Sequence, residues 1–139
     1  MKTVTERISV GLEAETGMED ITAEVQDAVE KSGLHDGIVT IFIIGATGAV
    51  STIEFEPGLL KDVPRALENI APSDIPYEHH LTWGCDNGRS HVKSTLIGPS
   101  MTVPFTDGKL TLGTWQQIVA MNFDTKARSR EIVIQILGQ

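Results

Sequence analysis

Cysteine is nearly absent. Cys85 is the only one in 139 residues, so no intramolecular disulfide can staple the fold and stability has to come from a packed core. Basic residues are also scarce. There are 11 Lys and Arg against 19 Asp and Glu, and the formal charge of -8 would repel a nucleic-acid backbone. Long apolar runs are missing: the longest, Ile41-Phe-Ile-Ile44, is about a fifth of what a membrane-spanning helix needs. The opening Met1-Lys-Thr-Val-Thr-Glu6 carries no apolar signal segment. These absences point to a cytoplasmic protein with neither nucleic acid nor membrane as a partner. No repeat and no Pro-, Gly- or Ser-rich linker divides the chain, so residues 1-139 are expected to form one domain. A chain of this length buries about two-thirds of the surface its unfolded state exposes.

The pattern along the chain predicts mixed α and β structure. Residues 2-10 alternate polar and apolar like an edge strand, and the segment from Gly11 to Gly17 reads as a turn-rich connection. A helix is expected from about Asp20, with Ile21, Val25, Ala28 and Val29 on one face and Gly33 as its end. Asp36-Gly37 opens the β-branched run Ile38-Ile44, read as a central strand buried on both faces. Alternation resumes over 49-56. The stretch 57-70 places Leu60, Val63, Leu67 and Ile70 at helical spacing, with Pro64 expected to kink or restart it. Strands are expected at 91-98, 101-105, 116-123 and 130-137, with Asp107-Gly108 as a turn. The fold class is therefore α+β: a mainly antiparallel twisted sheet or sandwich with two or three short helices, the helices concentrated in the first half.

Chemistry concentrates in residues 77-93, which hold three of the four histidines together with Tyr77, Asp86, Asn87, Arg89 and Lys93. Such a set suits a metal ion or an anionic substrate. With 77-81 read as extended, His79 and His80 point to opposite faces, and His79 is the chosen ligand. With 91-98 read as a strand, His91, Lys93 and Thr95 form one cationic row able to receive a phosphate. His79 and His91 are the candidate metal ligands, for Mg²⁺ or Zn²⁺, completed by a carboxylate from Glu54 or Asp86. Thr47, flanked by Gly45 and Gly48, suits a small anion-holding turn without the lysine and helix of a P-loop. Trp83 and Trp115 read as packing anchors, Cys85 as a gap filler and Asp86-Asn87-Gly88 as a tight turn.

The motifs Tyr77-x-His79, Asp86-Asn-Gly-Arg-Ser-His91-Val-Lys93, Gly98-Pro-Ser100, Asp107-Gly108, Gly113-Thr-Trp-Gln116, Phe123-Asp124 and Arg128-x-Arg130 occur in an order that resembles the YjbQ family of small proteins. That resemblance implies an α+β homotrimer with a polar pocket around the histidines. It also implies a weak thiamine-phosphate synthase activity, in which hydroxymethylpyrimidine diphosphate is joined to thiazole phosphate with release of pyrophosphate. In that reading Glu54, His79, Asp86, His91 and Lys93 are catalytic, and Thr47, Asn87, Arg89, Trp115 and Gln116 contact a small phosphorylated metabolite. The alternatives are a binding protein without catalysis and a metal-dependent hydrolase of a phosphorylated metabolite. One departure stands out: many members carry His-Thr-Thr or His-Thr-Ser where this chain has Gly45-Ala-Thr47.

Overall fold

Alternate residues along 39-43 and 132-136 are buried Val or Ile, and two strands with that pattern must share one inner face. The computed structural model describes residues 1-139 as eight strands and four helices in a single domain: β1 (Lys2–Leu12), β2 (Gly17–Asp20), α1 (Thr22–Ser32), β3 (Gly37–Ile43), β4 (Gly48–Ile53), α2 (Leu59–Ile70), α3 (Glu78–Trp83), α4 (Gly88–Ile97), β5 (Ser100–Thr106), β6 (Lys109–Leu110), β7 (Gln117–Asn122) and β8 (Arg128–Gly138). A five-stranded sheet runs β1-β8-β3-β5-β6 and a three-stranded sheet runs β2-β7-β4. Every strand pair is antiparallel.

The large sheet supplies Val39, Ile41, Ile43, Val103, Phe105, Ile132, Ile134 and Ile136 to the main core. Against these pack Val25, Ala28 and Val29 of α1 together with Val50, Ile118 and Ala120 of the small sheet. A second cluster forms on the far face of the small sheet, where Ala49, Val119, Met121 and Phe123 meet Leu67 of α2. Each fully buried branched side chain contributes about 1.5–3 kcal/mol, so the two clusters fix the layer order.

Several local expectations hold. β1 is an edge strand, and Gly33 ends α1 at φ 70° with its amide bonded to Glu30 O. Asp107 and Gly108, at φ 50° and 71°, form the two-residue link between β5 and β6. Others do not. β3 is buried on one face only: Ile38 and Phe42 are each 42 % exposed on the outer side. Pro64 does not restart α2, which runs as one helix from Leu59 to Ile70 around it. The short strands β2 and β6 directly follow the expected turns, in stretches where no strand was predicted, and four helices replace the predicted two or three, spread well past the midpoint of the chain.

The largest correction concerns residues 77-98, where two helices replace the expected strands. Burial along α4 falls on Arg89, Ser90, Lys93 and Ser94, a helical period, while Val92 and Leu96 face outward. Its inward face is polar, so a search for apolar periodicity misreads it. The helix is anchored to β4 by Ser94 Oγ, which donates to Gly48 O at 2.5 Å, and by Val50 N, which donates to Gly98 O at 3.2 Å. Trp83 and Trp115 pack against little in the single chain: they are 75 % and 72 % exposed.

Candidate functional site

Two helical turns and one loop build a polar corner. Tyr77 is extended, its hydroxyl donates to Pro72 O at 2.6 Å, and α3 starts directly after it, which carries His79 toward α4. The rings of His79 and His91 lie with centroids 4.5 Å apart and planes inclined by 56°. Beneath them, the Gly45-Ala46-Thr47 loop joins β3 to β4. The carbonyl side of Ala46 faces His91, and Thr47 Oγ1 donates to Asp124 Oδ2 at 3.1 Å.

Arg130, from β8, holds the 45-47 loop. Its Nη2 donates to Thr47 Oγ1 and to Asn122 Oδ1, the latter at 2.7 Å. Its Nε is buried with no partner in the chain, and Nη1 lies against Gly45. Asp124 is tied on several sides: Thr125 N donates to Oδ1 at 2.7 Å and Arg128 Nη2 pairs with Oδ2 at 3.0 Å. Burial pushes the Asp124 carboxyl up, but the Thr125 amide, the Thr47 hydroxyl and Arg128 together hold it below its ordinary range. Burial pulls the His91 imidazole below its ordinary value, and positive charge on His79 acts in the same direction, with Asp124 opposing. Burial likewise pulls Arg130 down, again opposed by Asp124. Around Thr47 the chain therefore gathers two guanidiniums, Arg128 and Arg130, one carboxylate, Asp124, already committed to several donors, and the His79–His91 pair.

The histidine absent at position 45 has a structural counterpart. Gly45 adopts φ +125°, and a Cβ placed there would collide with Arg130 Nη1. The guanidinium fills the direction a side chain at this position would take.

Of the residues singled out in the sequence, His79, His91 and Thr47 come together. Lys93 does not share their face, because residues 91, 93 and 95 form one row on a strand but not on a helix. It is 4 % exposed, and its Nζ donates to Glu68 Oε2 at 3.0 Å. Glu68 also accepts from Ser73 N and Ser73 Oγ, at 2.6 and 2.7 Å. These bonds, the Ser73 hydroxyl first, lower its carboxyl to about 2. Arg89 is buried and donates to Glu15 Oε1 at 2.7 Å and to Asp86 O at 2.8 Å. The Asp86 side chain itself stands 89 % exposed. Asn87 accepts from Cys85 Sγ at 3.1 Å.

Glu54, Trp115 and Gln116 lie elsewhere. The β4–β7 pair runs from Gly48 opposite Asn122, beside the corner, to Ile53 opposite Gln117. Five residues of strand put these groups about 17 Å from the corner within one chain. Gln116 Nε2 donates to Thr52 Oγ1 at 3.1 Å and its Oε1 accepts from Gly113 N at 3.1 Å, so it braces its own turn. Conversely, sequence reasoning assigned no role to Arg130, Asp124 or Asn122, although Arg128-x-Arg130 and Phe123-Asp124 stood among the motifs.

As a metal site the corner is incomplete within one chain. No group of three or more His, Cys, Asp and Glu is placed to hold an ion, which leaves the two imidazoles alone. Catalytic Zn²⁺ takes three protein ligands, and Mg²⁺ prefers oxygens. The donor set fits neither ion without groups from another source.

Residues 6–139 match the family described as UPF0047 protein YjbQ-like. A UPF0047 protein of Methanothermobacter thermautotrophicus is 33 % identical over 139 residues, covering 100 % of this chain and 95 % of its own. YugU of Bacillus subtilis is 31 % identical over 122 residues, covering 87 % and 89 %. Among solved structures, a YbjQ-like protein of unknown function from Sulfolobus solfataricus P2 superposes with a TM-score of 0.93 at 33 % identity over 99 % of both chains. A hypothetical protein from Aeropyrum pernix K1 follows at 0.90 and 29 %, covering 98 % of this chain and 99 % of its own. Fold, order of motifs and full-length similarity agree, and the chain belongs to the YjbQ-like UPF0047 family.

Proposed function

We propose that the corner formed by His79, His91, Thr47 and Arg130 binds the phosphate of a small phosphorylated metabolite. We further propose a pyrophosphate-releasing transfer of the thiamine-phosphate synthase kind. The observation that carries the anion reading is the His79–His91 ring pair, set against Ala46 of a loop whose Thr47 is held by the buried Arg130 guanidinium.

In the transfer, the carbon–oxygen bond to the diphosphate breaks and its electron pair leaves on oxygen. The thiazole nitrogen lone pair forms the new carbon–nitrogen bond, and no net proton moves. The demand on the protein is to neutralise the leaving oxygens while positive charge builds on carbon. Arg130 supplies fixed charge, and ring N–H groups of His91 and His79 donate hydrogen bonds. Lys93 and Arg89 have no part in this step; their charges hold Glu68 and Glu15.

Binding without turnover is the second reading, favoured by the prior commitment of Arg130 Nη2 to Thr47 and Asn122, which leaves less free donor capacity for a leaving diphosphate. Homotrimer assembly belongs to the same proposal. The apolar outer face of β3 and the exposed Trp115 suit a second copy, which would bring Trp115 and Gln116 toward a neighbouring corner.

The deciding experiment follows thiamine phosphate and pyrophosphate under multiple turnover from the two substrates, beside calorimetric titration with pyrophosphate. Turnover lost in His79→Ala/His91→Ala supports the transferase. Pyrophosphate binding without product leaves the binding protein, and neither binding nor product overturns both. Sedimentation velocity of the wild type and Trp115→Ala reads the assembly.

A further inference from the structure

The outer side of α3 carries a second feature unrelated to the corner. A groove of about 330 Å³ runs between α3, the segment leading into it and the start of α4. His79 and His91 do not line it. Its apolar walls are Ile75, Pro76, Tyr77 and Leu81; its acidic groups are Glu78 and Asp86; and His80, Cys85 and Gly88 complete it. The volume lies within the range of small-molecule sites, and apolar walls with a few polar groups are the usual composition of such sites.

Two details show that this groove is built to keep its shape. Tyr77 is fixed at both ends: its hydroxyl donates to Pro72 O, and Gly88 sits so close to its Cβ and Cγ that any side chain at 88 would drive it away. Second, His80 Nδ1 lies 3.1 Å from Cys85 O. A carbonyl oxygen can only accept, so Nδ1 carries the proton in the neutral ring and Nε2 keeps its lone pair. The groove thus combines apolar walls, one aromatic face, an imidazole acceptor, Cys85 and two carboxylates; no Lys or Arg lines it, and the nearest cation, Arg89 Nη1, stands 3.7 Å from Asp86 Oδ2, which leaves Glu78 as the less compensated of the two acids.

We infer that this groove is a separate binding site for a planar cationic ring bearing N–H donors, of the amidine or amino-heteroaromatic class. The ring lies against Tyr77 and Leu81, an N–H donates to His80 Nε2, and Glu78 and Asp86 select positive charge. The occupant differs in sign from the anion assigned to the histidine corner, so the two sites are separable by ligand.

The test is a ¹⁵N-labelled titration of the full chain with three probes: benzamidine, benzoate and inorganic phosphate. Benzamidine is expected to shift the amides of residues 77-88 saturably while benzoate, of the same shape and opposite charge, binds about tenfold more weakly or less. His80 is exposed, so His80→Ala is expected to keep the overall fold and to weaken benzamidine about fivefold or more by loss of the acceptor together with the Nδ1 brace on Cys85 O. Leu81→Lys, at an exposed position, adds a cation to the lining and is expected to abolish binding. The inference is overturned if benzamidine gives no saturable shift, if benzoate binds equally, or if neither variant changes affinity. Phosphate shifting the amides of Ile75, Leu81, Cys85 and Asp86, groove residues outside the corner, would also overturn it, because the two sites would then be one.

Discussion

Lys93→Ala separates a structural lysine from a catalytic one. The side chain is buried beneath α4, and its ammonium holds Glu68, whose carboxylate also receives the Ser73 amide and hydroxyl; one lysine thereby links α4, α2 and the loop after α2. Breaking a fully buried ion pair costs about 3–5 kcal/mol. The Glu68 side chain is 44 % exposed and regains water, so the loss falls toward the value of one charged hydrogen bond, about 2–3 kcal/mol with the stem included. At roughly 3 °C per kcal/mol for a domain of this size, the melting temperature should drop by about 6–9 °C. Lys93→Met keeps the stem and is expected to lose less than half of that. Thermal unfolding followed by circular dichroism gives both values, and calorimetry with pyrophosphate gives the affinity. Unchanged melting together with a tenfold loss of pyrophosphate affinity would refute the structural assignment. The pH dependence adds a check. The Glu68 carboxyl lies near 2 when folded against 4.5 ordinarily, so its contribution is present above pH 4.5 and disappears as pH falls toward 2. Lys93→Ala should narrow that window without closing it, since Ser73 is the larger cause.

Gly45→His is expected to destabilise the protein without creating a three-histidine zinc site, because φ +125° and the Arg130 guanidinium oppose any side chain there; tighter Zn²⁺ binding in the variant than in the wild type would contradict this. The imidazole of His91 is lowered by burial, so the unfolded chain takes up its proton first: the stability contribution is full above the ordinary 6.5 and is lost as pH falls below it. A bound anion reverses that penalty, and phosphate should therefore raise the melting temperature more at about pH 6 than at about pH 8. Ser90 Oγ is fully buried without a partner, so Ser90→Ala should be neutral or stabilising by up to about 1 kcal/mol in urea unfolding. A loss above about 1 kcal/mol would mean the hydroxyl has a partner.

Sheet structure was legible wherever burial follows hydrophobicity. The inner positions of β3 and β8 are Val and Ile at period two, and they pack as expected. α4 was not legible, since its buried positions are Arg89, Ser90, Lys93 and Ser94 and its outward ones include Val92 and Leu96. The strand reading that placed Lys93 beside His91 followed from that inversion. The outer face of β3 misled for the opposite reason: Ile38 and Phe42 are apolar yet half exposed in the single chain. At the corner, the histidines were conspicuous because they cluster in sequence. Arg130 is joined to Thr47 across 83 residues, a separation that no local pattern reveals.

The last strand to be synthesised sits between the first strand and the centre of the large sheet, pairing Lys2 with Gly138 on one side and Ile43 with Ile132 on the other. Until β8 emerges, β1 has no neighbour in that sheet, and β3 lacks the strand that supplies Ile132, Ile134 and Ile136. Contacts of such long sequence separation slow folding, and a nascent chain must keep β1 and the apolar β3 from pairing elsewhere in the meantime. Loss of β8 would leave β1 unpaired and open the edge of β3 that β8 covers, which makes products truncated before Arg128 candidates for aggregation rather than for partial function.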